Sequence, residues 1–326
     1  MRVYWLLFAL ALALLLWRVA PRPLPELAFA PRPLREVERL MQGVFVATRP
    51  AMLQLRGHKV SSGFVHKGRA SAFVFDPSGY ALTAYHAVEG MSALEAISTK
   101  QEYFPARVVG FDQSRDLAVI RIQAPRPLEH IEIDFEREIQ INDLLVQIGN
   151  SGGDFIQPRY GQVQGFIQSE ELLVPTRLIL SNAYISPGDS GGAVLGFSGK
   201  AFALGIGYAQ GVQGRVSYLV PLFGLAPWIE QLKRGTSLRL PDLGLRVTQD
   251  RGVGLLVEAI VEQSPAAKAG LRLLSKRELR LLQLEHTALH SLRDYHRILR
   301  RKKVGERVAV RLKAGERIQN LQLVLE

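Results

Sequence analysis

Beyond Val44 the chain reads as short apolar runs of β-branched and aromatic residues, broken every few positions by Gly, Pro, Asn or Asp. Ala72–Phe75, Arg107–Val109, Leu117–Ile122 and Leu144–Ile148 are such runs, and turns such as Asp76-Pro77-Ser78-Gly79 and Ser151-Gly152-Gly153-Asp154 separate them. Many short strands at this spacing predict closed antiparallel barrels. A helical stretch follows at Ala226–Leu232, and Gly235-Thr236-Ser237 opens a linker. The remaining segment alternates strands (Leu255–Val257, Val308–Leu312, Leu321–Leu325) with two helical patterns, Pro265–Ala269 and Ser291–Arg300. No internal repeat of fixed period is visible.

The N-terminus follows another pattern. Val3–Trp17 is an unbroken apolar run behind Met1 and Arg2, and it reaches Ala20 if Arg18 snorkels to the headgroups. An uncleaved anchor over 1–20 competes with a cleaved signal peptide. The anchor is favoured, because the small-residue site Ala28-Phe29-Ala30 is followed by Pro31. Arg18, Arg22, Arg32 and Arg35 after the segment argue against export of the body. Five prolines between Pro21 and Pro33 predict a stiff tether over 21–34. A helical spacing of Val37, Leu40, Met41 and Val44 comes next.

Composition narrows the function classes. The 326 residues allow about two domains. A hydrophobic share of 47% against 22% charged residues excludes a disordered chain. With no cysteine, thiolate metal sites, disulfides and cysteine nucleophiles are all excluded. The net charge is +11, and from Thr236 onward there are 18 Lys and Arg against 10 Asp and Glu. The basic run Arg297–Lys303 lacks aromatic interleaving, so it reads as a solvated helix end, and no nucleic-acid partner is expected. His286 and His290 beside Glu285 lack a third ligand nearby, so no metal is expected.

The chemistry lies in Ser186-Pro187-Gly188-Asp189-Ser190-Gly191-Gly192. A hydrolytic serine needs its hydroxyl on a tight loop with backbone N–H groups converging on the oxyanion. Gly188, Asp189 and Ser190 would supply that loop, with the N–H groups of Gly188 and Ser190 as donors. The hydroxyl also needs a base. His86, in Thr83-Ala84-Tyr85-His86-Ala87-Val88, ends an apolar strand and fits that role. Asp116 precedes the strand Leu117–Ile122 and can orient the imidazole, with Asp112 as its rival. The order His, Asp, Ser is the chymotrypsin order.

These segments together resemble the HtrA (Deg) family of trypsin-like serine proteases, and Gly205-Ile206-Gly207 with Ser217–Pro221 resembles that family's last barrel strands. After the linker, Leu243-Gly244-Leu245-Arg246-Val247 resembles the carboxylate-binding loop and first strand of a PDZ domain. Ser264–Leu271 matches its turn and short helix, and Ser291–Leu299 its groove helix. The resemblance implies a mainly β chain: a chymotrypsin-like double β-barrel protease domain over 35–235, then an α+β PDZ domain over 236–326, with an N-terminal membrane helix. It also implies a homotrimer, export to the periplasm from a single-pass inner-membrane anchor, and protein substrates that are unfolded or regulatory. C-terminal peptides would bind at the PDZ groove, and no cofactor is needed. The alternative is a chaperone or adaptor without proteolysis. The chain departs from the family's pattern at Asp189 (usually Asn), at Ala193 (usually Pro), over the basic stretch Leu273–Arg280 and at Glu285-His286.

The primary pocket is expected between Tyr184-Ile185 and Gly205-Ile206-Gly207. Tyr184 stands where a Lys- or Arg-selecting pocket would carry an acid, and Asn182–Ser186 contains none. Tyr184 and Ile206 are expected to narrow the pocket, which favours cleavage after Val, Ala, Ile or Leu.

Overall fold

The computed structural model describes residues 32–61, 64–151, 156–168, 177–211, 214–273 and 278–326. The chain divides into two units, Met1–Leu40 and Met41–Glu326. The expected anchor, the tether up to 31 and the Gly152–Asp154 turn lie outside the described residues. Among the described residues no helix is long and apolar enough to cross a membrane. Helix α1 spans Arg32–Thr48, so the last three residues assigned to the tether are helical. A proline in a first turn has no N–H to lose there, which is why Pro33 does not stop the helix.

Six strands form the first barrel: β1 (Met52–Ser61), β2 (Phe64–Asp76), β3 (Tyr80–Ala84), β4 (Ser92–Ser98), β5 (Tyr103–Asp112) and β6 (Leu117–Ile122). They pair in the order β5-β4-β1-β2-β3-β6, and β5 pairs with β6 to close the ring. Between β3 and β4 lies one helical turn, α2 (Tyr85–Val88). Alternate residues, among them Leu53 and Leu55, Ala70, Ala72 and Val74, and Ala118, Ile120 and Ile122, form one buried cluster. Phe73, Leu82, Leu117 and Val119 on the opposite faces are buried as well. Burial on both faces explains why β6 reads as an apolar run interrupted only by the part-buried Arg121.

The second barrel contains β7 (Leu144–Gly149), β8 (Gln157–Ile167), β9 (Leu178–Ser181), β10 (Ala193–Leu195), β11 (Ala201–Gly211) and β12 (Gly214–Pro221), closed in the order β10-β11-β12-β9-β8-β7. Leu145, Val163, Ile179, Ala183, Val194, Phe202, Ala203 and Leu219 fill it.

Helix α3 (Ala226–Lys233) ends in Arg234-Gly235, and the expected linker behind it is pinned. Strand β13 (Ser237–Leu238) pairs parallel to β5, Ser237 with Phe111 and Leu238 with Asp112. The Gln113 side chain accepts the Leu240 N–H at 3.0 Å.

A third sheet follows: β14 (Leu245–Thr248), β15 (Leu255–Ile260), β16 (Leu279–Leu284), β17 (Thr287–Ala288), β18 (Arg307–Ala314) and β19 (Arg317–Val324), in the order β14-β15-β16-β18-β19 with β17 on β16. Helix α4 (Pro265–Lys268) starts at Ser264, whose hydroxyl accepts the Ala267 N–H. Helix α5 (Leu292–Leu299) starts with a reciprocal capping box between Ser291 and Asp294. Tyr295 and Leu299 turn from α5 into the core with Leu245, Leu255, Leu281 and Val310.

Candidate active site

Strand β3 delivers His86 to the first turn beyond its end, where the Tyr85 N–H donates to the Asp116 carbonyl at 3.1 Å. Tyr85 stacks on Phe111 at 4.4 Å, which holds the turn against β5. Asp116 sits just before β6 with φ of 54°, a left-handed conformation that costs a non-glycine residue about 1–3 kcal/mol. The strained backbone aims the carboxylate at the histidine. Oδ1 accepts the His86 backbone N–H at 2.8 Å, and Oδ2 lies 2.6 Å from Nδ1. The imidazole is 49% exposed and the carboxylate 9%. With Nδ1–H held by Asp116, Nε2 is the free base. Asp112, the rival, faces elsewhere: Ser114, Arg115 and the Trp228 indole N–H bond its carboxylate.

Burial pushes the His86 pKa down, but the hydrogen bond and charge of Asp116 outweigh it and the net shift is upward. A general base works only when neutral, so the acid limb of kcat/KM is expected above the ordinary imidazole value of 6.5. Asp116→Asn should move that limb to lower pH. A pH–rate profile of both proteins checks this, and an unmoved limb would detach Asp116 from His86.

Ser190 lies on a loop that only glycines permit at three places. Gly188 and Gly191 have φ of 102° and 87°. A Cβ on Gly188, Gly191 or Gly192 would stand 2.6, 2.1 or 2.2 Å from the carbonyl oxygens of Asn150, Ser71 and Ile148 respectively. Among the described residues the Gly188 and Ser190 N–H groups have no acceptor, which leaves both for an oxyanion. Asp189 shares the loop without serving as a donor. Its N–H is used by the Ser186 carbonyl at 2.9 Å, so it adds no oxyanion donor. Its buried carboxylate instead accepts the Ser186 N–H at 2.9 Å and braces the loop from below. Burial raises the Asp189 pKa against the opposing bonds from Ser186 and Ser151 and the charge of Arg159. The Ser190 hydroxyl donates to the Ile206 carbonyl at 3.3 Å.

Sequence reasoning missed Ser71, which ties this loop to the first barrel. Its hydroxyl donates to the Gly188 carbonyl at 2.7 Å and accepts the Asn150 N–H at 2.9 Å. Its N–H donates to the Ser190 carbonyl at 2.8 Å, and its carbonyl accepts the Thr83 hydroxyl at 2.8 Å. A small polar residue inside the apolar run Ala70–Val74 was the available signal. Ser71→Ala is expected to destabilise the fold by about 1–3 kcal/mol and lower kcat roughly 10- to 100-fold with little change in KM. Thermal melts and peptide kinetics check it, and wild-type kcat would deny Ser71 any part in positioning the loop.

The pocket expectation needs one correction. Tyr184 is 52% exposed and stands at the surface, so it does not form the pocket base. The adjacent Ala183 and Ile185 are the buried ones, because the buried Ser217 hydroxyl clamps both, donating to the Ala183 carbonyl at 2.7 Å and accepting the Ile185 N–H at 3.1 Å. On β11, Gly205 is buried, while Ile206 and Gly207 are half-buried.

The chain matches the family models of a trypsin-like peptidase domain over residues 70–204 and of a PDZ domain over 241–325. It is 31% identical over 282 residues to Protease Do-like 1, chloroplastic, of Arabidopsis thaliana, covering 80% of this chain and 64% of that protein. The chain belongs to the HtrA family, with a C-terminal PDZ domain. It is also 28% identical over 218 residues to a probable periplasmic serine endoprotease DegP-like of Chlamydia trachomatis, covering 63% of this chain and 44% of that protein. The chain thus spans less than two thirds of either relative. Among solved structures, the HtrA-type protease AlgW with decapeptide shares the fold at a TM-score of 0.53 and 20% identity, covering 87% of this chain and 98% of that one. The serine endoprotease of Yersinia pestis does so at 0.52 and 20%, covering 87% and 97%.

In this HtrA-family chain the PDZ domain and the first barrel border one cavity. A cavity of about 510 Å³ is lined by Tyr85, His86 and Asp116 on one side and by Asp242, Arg246, Tyr295 and Leu299 on the other. Strand β14 is the edge of its sheet, so Leu245, Arg246 and Val247 can accept an added strand. The loop before it departs from expectation. Gly244 takes φ of 74°, and its N–H already donates to the Asp242 carboxylate at 2.8 Å. Asp242 also pairs with Arg246 at 2.9 Å. A peptide carboxylate would have to displace Asp242 to use the Gly244 donor, while Leu243 stays buried in the core.

Proposed function

We propose that the chain is a membrane-tethered serine endopeptidase of the periplasm. The observation that carries the chemistry is the His86–Asp116 bond at 2.6 Å in a fold that sets Ser190 on a glycine-built loop. In this reading Ser190 rotates from the Ile206 carbonyl toward Nε2 of His86 and attacks the scissile carbonyl. His86 takes the proton and returns it to the leaving amine, while Asp116 holds the tautomer and steadies the imidazolium. The Gly188 and Ser190 N–H groups receive the oxyanion. With no acid in 182–186 or 204–208, the pocket takes small or medium uncharged side chains such as Val, Ala, Ile or Leu and rejects Lys and Arg.

The protease domain runs over 35–235 and the PDZ domain over 236–326, behind the anchor at 1–20. The relative named as a probable periplasmic endoprotease supports the compartment, although the chloroplast relative shows that members serve elsewhere. Unfolded or regulatory envelope proteins are the substrates and a homotrimer the assembly, both by family likeness. Because groove and His86 share one cavity, peptide binding at the PDZ domain and access to the catalytic histidine are coupled. The test compares membrane proteins of cells carrying the chain or its Ser190→Ala variant. A fragment made only by the active form supports the reading, and identical protein patterns oppose it.

A further inference from the structure

The second barrel holds a polar side chain that its own fold leaves unused. Gln147 lies on β7 between Leu145 and Gly149 and is 0% exposed. Neither its Oε1 nor its Nε2 has a hydrogen-bond partner among the described residues. A buried amide left unpaired is costly, and an apolar residue of similar size would fill the same space without that cost. Its neighbour identifies the place. A Cβ on Gly205 would stand 2.2 Å from Nε2 and 3.5 Å from Oε1, so the Gln147 amide occupies the room that a side chain at 205 would take.

Gly205 is bound into the nucleophile loop. Its N–H donates to the Gly192 carbonyl at 3.0 Å, and its carbonyl accepts the Gly191 N–H at 2.8 Å. The next residue along β11, Ile206, receives the Ser190 hydroxyl. The amide therefore packs against Gly205, one residue from the carbonyl that receives the Ser190 hydroxyl, while Ser217 holds Ala183 and Ile185. Asp189 is a neighbour of β7 too, but its carboxylate is committed to Ser186 and its contact on that strand is with Gly149.

We infer that the Gln147 amide floors the primary specificity pocket, and that the pocket selects a small hydroxyl-bearing residue, threonine above all, over its apolar isostere. An amide presents one donor and one acceptor direction to the pocket, and a hydroxyl can serve both. Valine leaves both unpaired. Lysine meets only the oxygen and buries an uncompensated charge. Sites that hydrogen-bond a substrate hydroxyl discriminate more sharply than apolar pockets do. The inference rests on the proteolytic reading and ranks residues within its uncharged class.

The test uses the full chain and two blocked peptides that differ only by Thr or Val before the scissile bond. The wild type is expected to favour Thr by tenfold or more in kcat/KM. Gln147→Met, which keeps the length and removes the polar atoms, should bring the ratio to one or below, and Gln147→Leu serves if Met fails to fold. Equal or better cleavage after Val by the wild type overturns the inference, as does a Thr preference that survives in Gln147→Met. If neither peptide is cleaved, the proteolytic reading fails on its own. The affinities of the same peptides for Ser190→Ala then decide between Thr and Val.

Discussion

Ser190→Ala is expected to abolish peptide hydrolysis while leaving the melting temperature within a few degrees of wild type. Removing a nucleophile that acts as a unit with its base costs on the order of 10⁴- to 10⁶-fold in kcat, and losing the base as well adds little. His86→Ala should therefore match it, and Asp116→Asn should fall somewhat short, because the imidazole remains in place without its charge partner. The fold is spared because the Ser190 side chain makes a single bond of 3.3 Å to Ile206, while the loop is held by its backbone through Ser71. Steady-state kinetics on one peptide with all three variants checks the order. Activity above about a hundredth of wild type in Ser190→Ala would place the nucleophile elsewhere.

Gly191→Ala should harm both fold and activity. At φ of 87° an alanine already costs about 1–2 kcal/mol, and here its Cβ would lie 2.1 Å from the Ser71 carbonyl oxygen and 2.3 Å from the Thr83 hydroxyl. Neither group yields freely, since that carbonyl accepts the Thr83 hydroxyl and belongs to β2. The loop must move away from the first barrel, taking Ser190 with it. We expect a loss of more than about 2 kcal/mol, a fall in Tm of roughly 4–8 °C, and activity reduced at least a hundredfold. Differential scanning calorimetry with kinetics checks both, and an unchanged Tm would mean the loop is far softer than its contacts indicate.

How much of this was legible differs by element. The candidate triad positions stood out because each is at a junction that sequence marks: an apolar run ending in His86, an acid heading the run Leu117–Ile122, and three glycines around Ser190. The two barrels followed from strand count and spacing, since residues alternating on each strand fill one core. Ser71, Gln147 and Ser217 could not be assigned, because their roles arise from pairs distant in sequence, such as Ser71 with Gly188 and Gln147 with Gly205. Tyr184 was misplaced for a related reason. Counting back from Ser190 gives a position but not which face of the segment turns inward, and the Ser217 clamp decides that. Asp242 likewise reads as an ordinary turn residue until its carboxylate is seen on the Gly244 N–H.

The claim everything else depends on is that Ser190, activated by His86, is a nucleophile. The direct measurement is labelling of the folded chain with a small-residue peptidyl phosphonate, followed by mass-spectrometric mapping of the adduct at several pH values. The account predicts one adduct on Ser190, forming faster as pH rises through the raised His86 pKa and lost in His86→Ala. Folded protein that stays unlabelled, or an adduct on another residue, would contradict it.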